Sequence, residues 1–314
     1  MKVCLSIAGM GKEFAQMAET LGQYGQVDVV GLTDFSLTGY DIFIGKQLSE
    51  SILETADCLK AAFAYKTGVD NFPLQKMAEK NIPLVNSHAD SNVIAEYAFG
   101  LSISLVNRIT ECDKKLRKGI WYDNDDPYWE SIFDMKVGLL GYGHIGQEIN
   151  RILRKNDIET FTLNRGGDYA DITPVDTLEE LCKKVNLLIL SLPKTPQTDN
   201  IINRDILALL KDKYIVNVGR SNAIHQEDLY KALKQNYLAG AAIDTWDEKP
   251  KHKRAKLKPS KYPFVKLSNV VLSPHQATRI EAGHRRYVED ITNKVITFIQ
   301  TGELIDPVDL AKGY

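Results

Sequence analysis

Short apolar runs of strand length alternate with amphipathic segments of helical spacing along almost the whole chain. In the first hundred residues these runs cover residues 2–8, 27–32, 40–45, 59–64 and 82–86. Such alternation predicts βαβ units and parallel sheets with helices on their faces. From residue 92 the pattern turns helical. The mostly apolar stretch 93–106 predicts a helix buried on most sides. An acidic, aromatic segment at 121–130 follows, and a second βα series begins at Lys136 and runs to about Pro274. There is no internal repeat and no low-complexity linker.

Composition narrows the picture. The 314 residues, 44% hydrophobic and 25% charged, are ordinary for a globular protein and exclude disorder, collagen and coiled coil. A single core stops growing at roughly 250–300 residues, so two lobes with a cleft are expected. With 39 Lys+Arg against 41 Asp+Glu, net −2, no overall basicity points to nucleic acid. No stretch approaches the roughly 18 apolar residues of a membrane span. The N-terminal run has no hydrophobic region followed by a cleavage site, so no signal peptide is expected. Cys4, Cys58, Cys112 and Cys182 are far apart and form no C-x-x-C pair. Neither a zinc site nor any other metal centre is expected, and the thiols suit a reducing cytoplasm.

The first chemical motif is Gly141-Tyr142-Gly143-His144-Ile145-Gly146, between the buried-strand pattern at 137–140 and the helical spacing of 147–153. G-x-G-x-x-G in that setting is a dinucleotide-binding loop. Gly141 makes the tight turn, Gly143 admits the pyrophosphate and Gly146 lets helix and strand pack. The helix N-terminus then faces the phosphates, beside His144 and Ile145. An acid about 20 residues on would select NAD. Here the next strand pattern ends on Asn164 and Arg165. An arginine fork pairs with a 2′-phosphate, which favours NADP(H) over NAD(H). The alternative is an NAD enzyme in which Arg165 stacks on adenine.

Four further strand patterns end on polar groups. One leads through Leu192 and Pro193 to Thr198, one through Val218 and Gly219 to Arg220, and the others to Asp244 and His275. Ligands of doubly wound sheets sit at such carboxyl ends. Together with Thr67-Gly68-Val69-Asp70-Asn71, Val93-Ile94-Ala95-Glu96 and Ser273-Pro274-His275, these segments run in order through nearly the whole chain. In this the sequence resembles the D-isomer-specific 2-hydroxyacid dehydrogenase family.

The resemblance implies an α/β fold of two Rossmann-like domains with doubly wound parallel sheets. It puts a discontinuous substrate domain at 1–104 and 284–314, and an NAD(P)-binding domain at 105–283 that builds a homodimer. It implies hydride transfer between NAD(P)H and a small 2-oxo or D-2-hydroxy acid, with reduction favoured if NADPH is used. Arg220 would grip the carboxylate and carbonyl, and N–H groups at Thr67, Gly68 and Val69 would hold the carboxylate. His275 would give its proton to the carbonyl oxygen, and Asp244 would bond the nicotinamide carboxamide. His88 is a weaker substrate candidate, the alternative being a turn or capping residue.

Two positions depart from the family pattern. The glutamate that supports the catalytic histidine usually precedes a proline; here Lys249 precedes Pro250, with Glu248 one place earlier. Either Glu248 reaches His275 or a lysine stands in place of the acid, and the first is preferred because a cation disfavours imidazolium. Ser221 replaces a usual glycine. Residues 249–261, from Lys249 to Lys261, hold seven Lys/Arg and no acid. This segment is either a solvated loop or one that attracts anions or pairs with Asp123, Asp125, Asp126 and Glu130. Trp121, Tyr128 and Trp129 suit dimer or core packing better than base stacking. The competing function is a non-enzymatic, co-repressor-like NAD(P)(H)-binding protein on the same fold.

Overall fold

The computed structural model describes all residues except Met10, 122–126, Asp168, Lys249 and 251–255. The basic segment beginning at Lys249 and the acids Asp123, Asp125 and Asp126 therefore lie wholly or largely outside the described residues. The chain divides into two compact units, one of Met1–Asp90 with Arg279–Tyr314, the other of Ser91–Thr278.

In the first unit the order is β1 (Lys2–Ser6), α1 (Lys12–Gly22), β2 (Gln26–Val30), β3 (Ile42–Gly45), α2 (Glu50–Glu54), β4 (Ala61–Ala64), α3 (Leu74–Glu79) and β5 (Leu84–Asn86). Its described strands form one parallel sheet in the order β2-β1-β3-β4-β5. β3 and β4 are buried at every position because both sheet faces are covered. Phe14, Met17 and Leu21 of α1 pack on Val3, Leu5 and Phe63, together with Val288, Ile291 and Val295 of the C-terminal helix Gly283–Thr301. Leu53 and Met77 cover the opposite face against Phe43, Ala62 and Leu84.

The second unit contains α4 (Ser91–Val106), α5 (Ile109–Leu116), β6 (Val137–Leu140), α6 (His144–Arg154), β7 (Thr160–Leu163), β8 (Thr173–Val175), α7 (Leu178–Lys184), β9 (Leu187–Leu190), α8 (Arg204–Ala208), β10 (Tyr214–Asn217), α9 (Gln226–Lys234), β11 (Gly240–Ile243) and β12 (Val270–Leu272). Its described strands form a parallel sheet in the order β12-β11-β10-β9-β6-β7-β8. The chain leaves β6 for β7 on one side and returns to β9 on the other, so the crevice at which strand order reverses lies between β6 and β9.

Two features differ from the sequence expectation. β8 has no apolar run, only Val175 being buried, and carries Pro174; a sheet edge tolerates proline because one side needs no ladder donor. The helix α4, assigned from sequence to the substrate domain, packs instead within the second unit. Ile94, Ala95, Ala98, Leu101 and Leu105 share one core with Val137, Ile149, Leu153, Val216 and Ala242. The unit boundaries thus fall after Asp90 and after Thr278, where the resemblance implied 104 and 283. Among the described residues no helix is long and apolar enough to cross a membrane.

Candidate active site

The glycine loop is fixed by close approaches that admit no side chain. Gly141, directly after β6, has φ +105°, a conformation L side chains avoid. A Cβ on Gly146 would stand 2.1 Å from the Gly141 carbonyl oxygen, so the turn and the first turn of α6 touch. Ser191, after β9, closes the other side by donating to that same oxygen at 3.0 Å. Gly143 differs: a Cβ there would meet nothing within 4 Å. It is the N-cap of the eleven-residue α6 and offers no side chain to the helix's first N–H groups. Open space over uncapped N–H donors is the cradle that a pyrophosphate requires, so these residues fit a dinucleotide. His144 is exposed, and Ile145 is half-buried.

β7 pairs with β6 and ends at the exposed residues Asn164 and Arg165. Asn164 Oδ1 accepts from the Gly166 N–H at 3.2 Å, and the Arg165 N–H is held by the Tyr169 hydroxyl. The turn is thereby shaped with the Asn164 amide N–H₂ and the guanidinium on the surface.

On the far side of the crevice, Gly219 follows β10 so closely on β9 that a Cβ would lie 2.6 Å from the Leu192 nitrogen. Asn217, almost fully buried, braces this strand end: its Oδ1 accepts from Gly219 N–H at 3.0 Å and its Nδ2 donates to the Arg220 carbonyl at 2.9 Å. Val218 is buried, and the half-buried Arg220 donates from Nη1 to the Gly219 carbonyl at 3.0 Å. Thr198 spends its hydroxyl on its own loop, donating to Pro193 O at 2.7 Å. Asp244 follows β11 and is fully buried. Its Oδ1 accepts from Gln276 N–H at 2.8 Å and its Oδ2 from Ala277 N–H at 3.2 Å, so this carboxylate organises the turn after β12. His275 stands exposed in that turn with φ +58°. Glu248 is exposed and its side chain bonds no described residue; its backbone N–H donates to Pro259 O at 3.2 Å.

In the first unit, the N–H groups of Thr67, Gly68 and Val69 after β4 donate to no described residue, and the buried Thr67 Oγ1 has no partner. Asn86 fixes this loop through Nδ2 to Thr67 O at 2.6 Å. Consecutive unpaired N–H groups form an anion nest. His88, two residues beyond β5, is half-buried. Burial pushes the carboxyl of nearby Asp90 above the usual carboxylate range, opposed in part by Tyr287, Arg286 and His284. Sequence reasoning missed Ser191, Asn217, Ser273 and Tyr97 as supports of these loops. The only signal was their place inside or beside the motifs.

Residues 99–277 match the family described as D-isomer specific 2-hydroxyacid dehydrogenase, NAD binding domain. The D-3-phosphoglycerate dehydrogenase of Methanocaldococcus jannaschii is 28% identical over 303 residues, covering 92% of this chain but only 56% of that protein. The chain thus spans little more than half the length of that relative. The glyoxylate reductase of Thermofilum pendens is 27% identical over 268 residues, 82% of this chain and 77% of that protein. Among solved structures, a Pyrococcus horikoshii protein superposes with a TM-score of 0.85 at 26% identity, over 98% of this chain and 95% of the other. An NADPH-dependent glyoxylate/hydroxypyruvate reductase from Sinorhizobium meliloti, solved with NADP and malonate, shares the fold with a TM-score of 0.80 at 21% identity, over 99% and 98%.

Proposed function

Because this chain belongs to the D-isomer-specific 2-hydroxyacid dehydrogenase family, we propose that it reduces small 2-oxo acids to D-2-hydroxy acids with NADPH. The observation that supports this most is within one sheet. The glycine cradle lies at the β6/β9 crevice, while Arg220 and His275 come three residues after the ends of β10 and β12, strands two spacings or about 10 Å apart in the same sheet. An arginine fork and an imidazole carried by such close strand ends suit a molecule of a few heavy atoms.

Gly141, Gly143, Gly146 and the N-terminus of α6, with His144 and Ile145, would hold the pyrophosphate. Leu192, Pro193, Val218 and Gly219 would line the path to the nicotinamide. Asn164 and Arg165 carry no negative charge to repel a 2′-phosphate, which supports NADP(H). The bound nicotinamide supplies a hydride. Arg220 orients the 2-oxo acid and stabilises the charge that develops on its carbonyl oxygen. His275 delivers an imidazole ring proton to that oxygen, a task suited to a side chain that titrates near neutrality. The Thr67, Gly68 and Val69 N–H groups after β4 would receive a carboxylate, with His88 following β5, the strand that pairs with β4. Glu248 is the carboxylate that would favour the protonated imidazole.

We also propose a homodimer. α5 has no buried residue, and Ile109, Leu116, Ile120, Trp121, Trp129 and Phe133 are all more than half exposed. So many exposed apolar side chains within one stretch of chain suit an interface, and a second copy is the proposed occupant. The function is tested by loss of NADPH absorbance with glyoxylate, hydroxypyruvate and pyruvate. Turnover that disappears in Arg220→Ala and His275→Asn is the expected result. Tight NADPH binding without turnover on any 2-oxo acid overturns it.

A further inference from the structure

Tyr97 lies on α4, outside the residues that the proposed reaction uses. Its hydroxyl is 2.8 Å from Ser273 Oγ, and Ser273 is buried next to the end of β12. The same Ser273 hydroxyl donates to Asp244 Oδ1. A carboxylate only accepts, and a serine hydroxyl has one proton. The direction of the chain is therefore fixed: Tyr97 O–H donates to Ser273, and Ser273 O–H donates to Asp244.

What this chain ends on is the turn of His275. Asp244 receives the N–H groups of Gln276 and Ala277 on its carboxylate and that of His275 on its backbone carbonyl, the last at 2.8 Å. The indole N–H of Trp246 holds the Ser273 carbonyl at 2.9 Å. Between these anchors His275 is kept at φ +58°, a left-handed backbone that a non-glycine residue occupies at a cost and only when its surroundings impose it. Residue Tyr97 itself is rigidly based, since Ile94, Ala95, Ala98 and Leu101 on the same helix are core.

We propose that Tyr97 is a positioning residue for His275, acting through Ser273 and Asp244 to hold the strained turn from which the imidazole works. This rests on the reading of His275 as proton donor. It also gives Asp244 a defined task, which is to bind its own turn.

The test uses the full chain and the variants Tyr97→Phe, Ser273→Ala, Ser273→Thr and the double variant Tyr97→Phe/Ser273→Ala. Tyr97→Phe keeps the ring and removes one oxygen. It is expected to lower kcat with glyoxylate by about tenfold, less than the roughly hundredfold penalty of an ångström-scale misplacement at a reacting centre, while KM and NADPH affinity hold. Ser273→Thr retains the hydroxyl and restores kcat relative to Ser273→Ala. The double variant should be no worse than Ser273→Ala alone, because residues in one chain are not additive. Independently of activity, amide hydrogen exchange at Gln276 and Ala277 should accelerate in Tyr97→Phe. Unchanged exchange at both amides, or additive losses in the double variant, overturns the proposal. If the wild type turns over no 2-oxo acid yet exchange accelerates in Tyr97→Phe, the positioning role stands and the proposed reaction falls.

Discussion

A methyl group added at Gly146 would place a carbon 2.1 Å from the carbonyl oxygen of Gly141 and 3.0 Å from its carbonyl carbon. Both are backbone atoms. Gly141 has no room to retreat, because the side on which its own Cβ would stand meets Ser191 backbone at 3.1 Å. Overpacking costs about 1–3 kcal/mol, and a backbone clash of this depth belongs at the upper end. For a unit of this size that is a fall in Tm of roughly 6–12 °C. Gly143→Ala should behave in the opposite way. Its φ of −80° and ψ of −162° suit any residue and its Cβ would meet nothing within 4 Å. The folded state tolerates the methyl, and the loss of unfolded-state freedom contributes about 0.4–1 kcal/mol in favour of folding. That open space is the proposed seat of the pyrophosphate, so NADPH affinity should drop by about tenfold or more, equivalent to about 1.4 kcal/mol. Thermal melts and fluorescence titration with NADPH measure the two effects. Wild-type NADPH affinity in Gly143→Ala would refute the cradle, and a wild-type melting temperature in Gly146→Ala would refute the packing argument.

Four further outcomes are expected. Asn164→Asp should shift the kcat/KM ratio of NADPH to NADH toward NADH by about tenfold or more, as a carboxylate repels the 2′-phosphate; a wild type already faster with NADH defeats the premise. Glu248→Gln should lower reductase kcat and move the histidine limb of the pH–rate profile downward, since a carboxylate partner raises imidazole pKa; superimposable profiles exclude that partnership. Burial raises the Asp90 carboxyl above its unfolded value, so the folded chain favours the protonated form, and the penalty is absent below the unfolded pKa and grows as pH rises through the folded one. Asp90→Asn should therefore raise Tm at neutral pH and change little near pH ~3, and an equal gain at both would contradict the cause. Leu116→Glu with Trp129→Glu should yield monomers by sedimentation if α5 is the dimer face, and an unchanged mass would place the interface elsewhere.

Local pattern determined much of this protein. The period of apolar runs marked the strands that both helix layers bury, because a strand covered on two faces must be apolar at nearly every position. The glycine motif was legible because its spacing follows from turn geometry at a single strand end. Strand order, and with it the β6/β9 crevice, depended on which non-consecutive strands pair, and that is settled by packing of helices far apart in sequence. Only the tertiary structure put α4 in the second unit, since the partners of Ile94 and Ala98 lie on α6 and the sheet rather than nearby in the chain. It also separated Gly143 from Gly146, identical letters whose difference is the distance to Gly141 O. Asp244 shows the same limit. Its place at a strand end was readable, but its burial beneath Ser273, Gln276 and Ala277 is set by strand register across β11 and β12. Hydrogen bonds between residues about thirty apart, and the Tyr97 contact from α4 to the residue after β12, leave no periodic trace in sequence, because a single polar pair needs only one residue at each end.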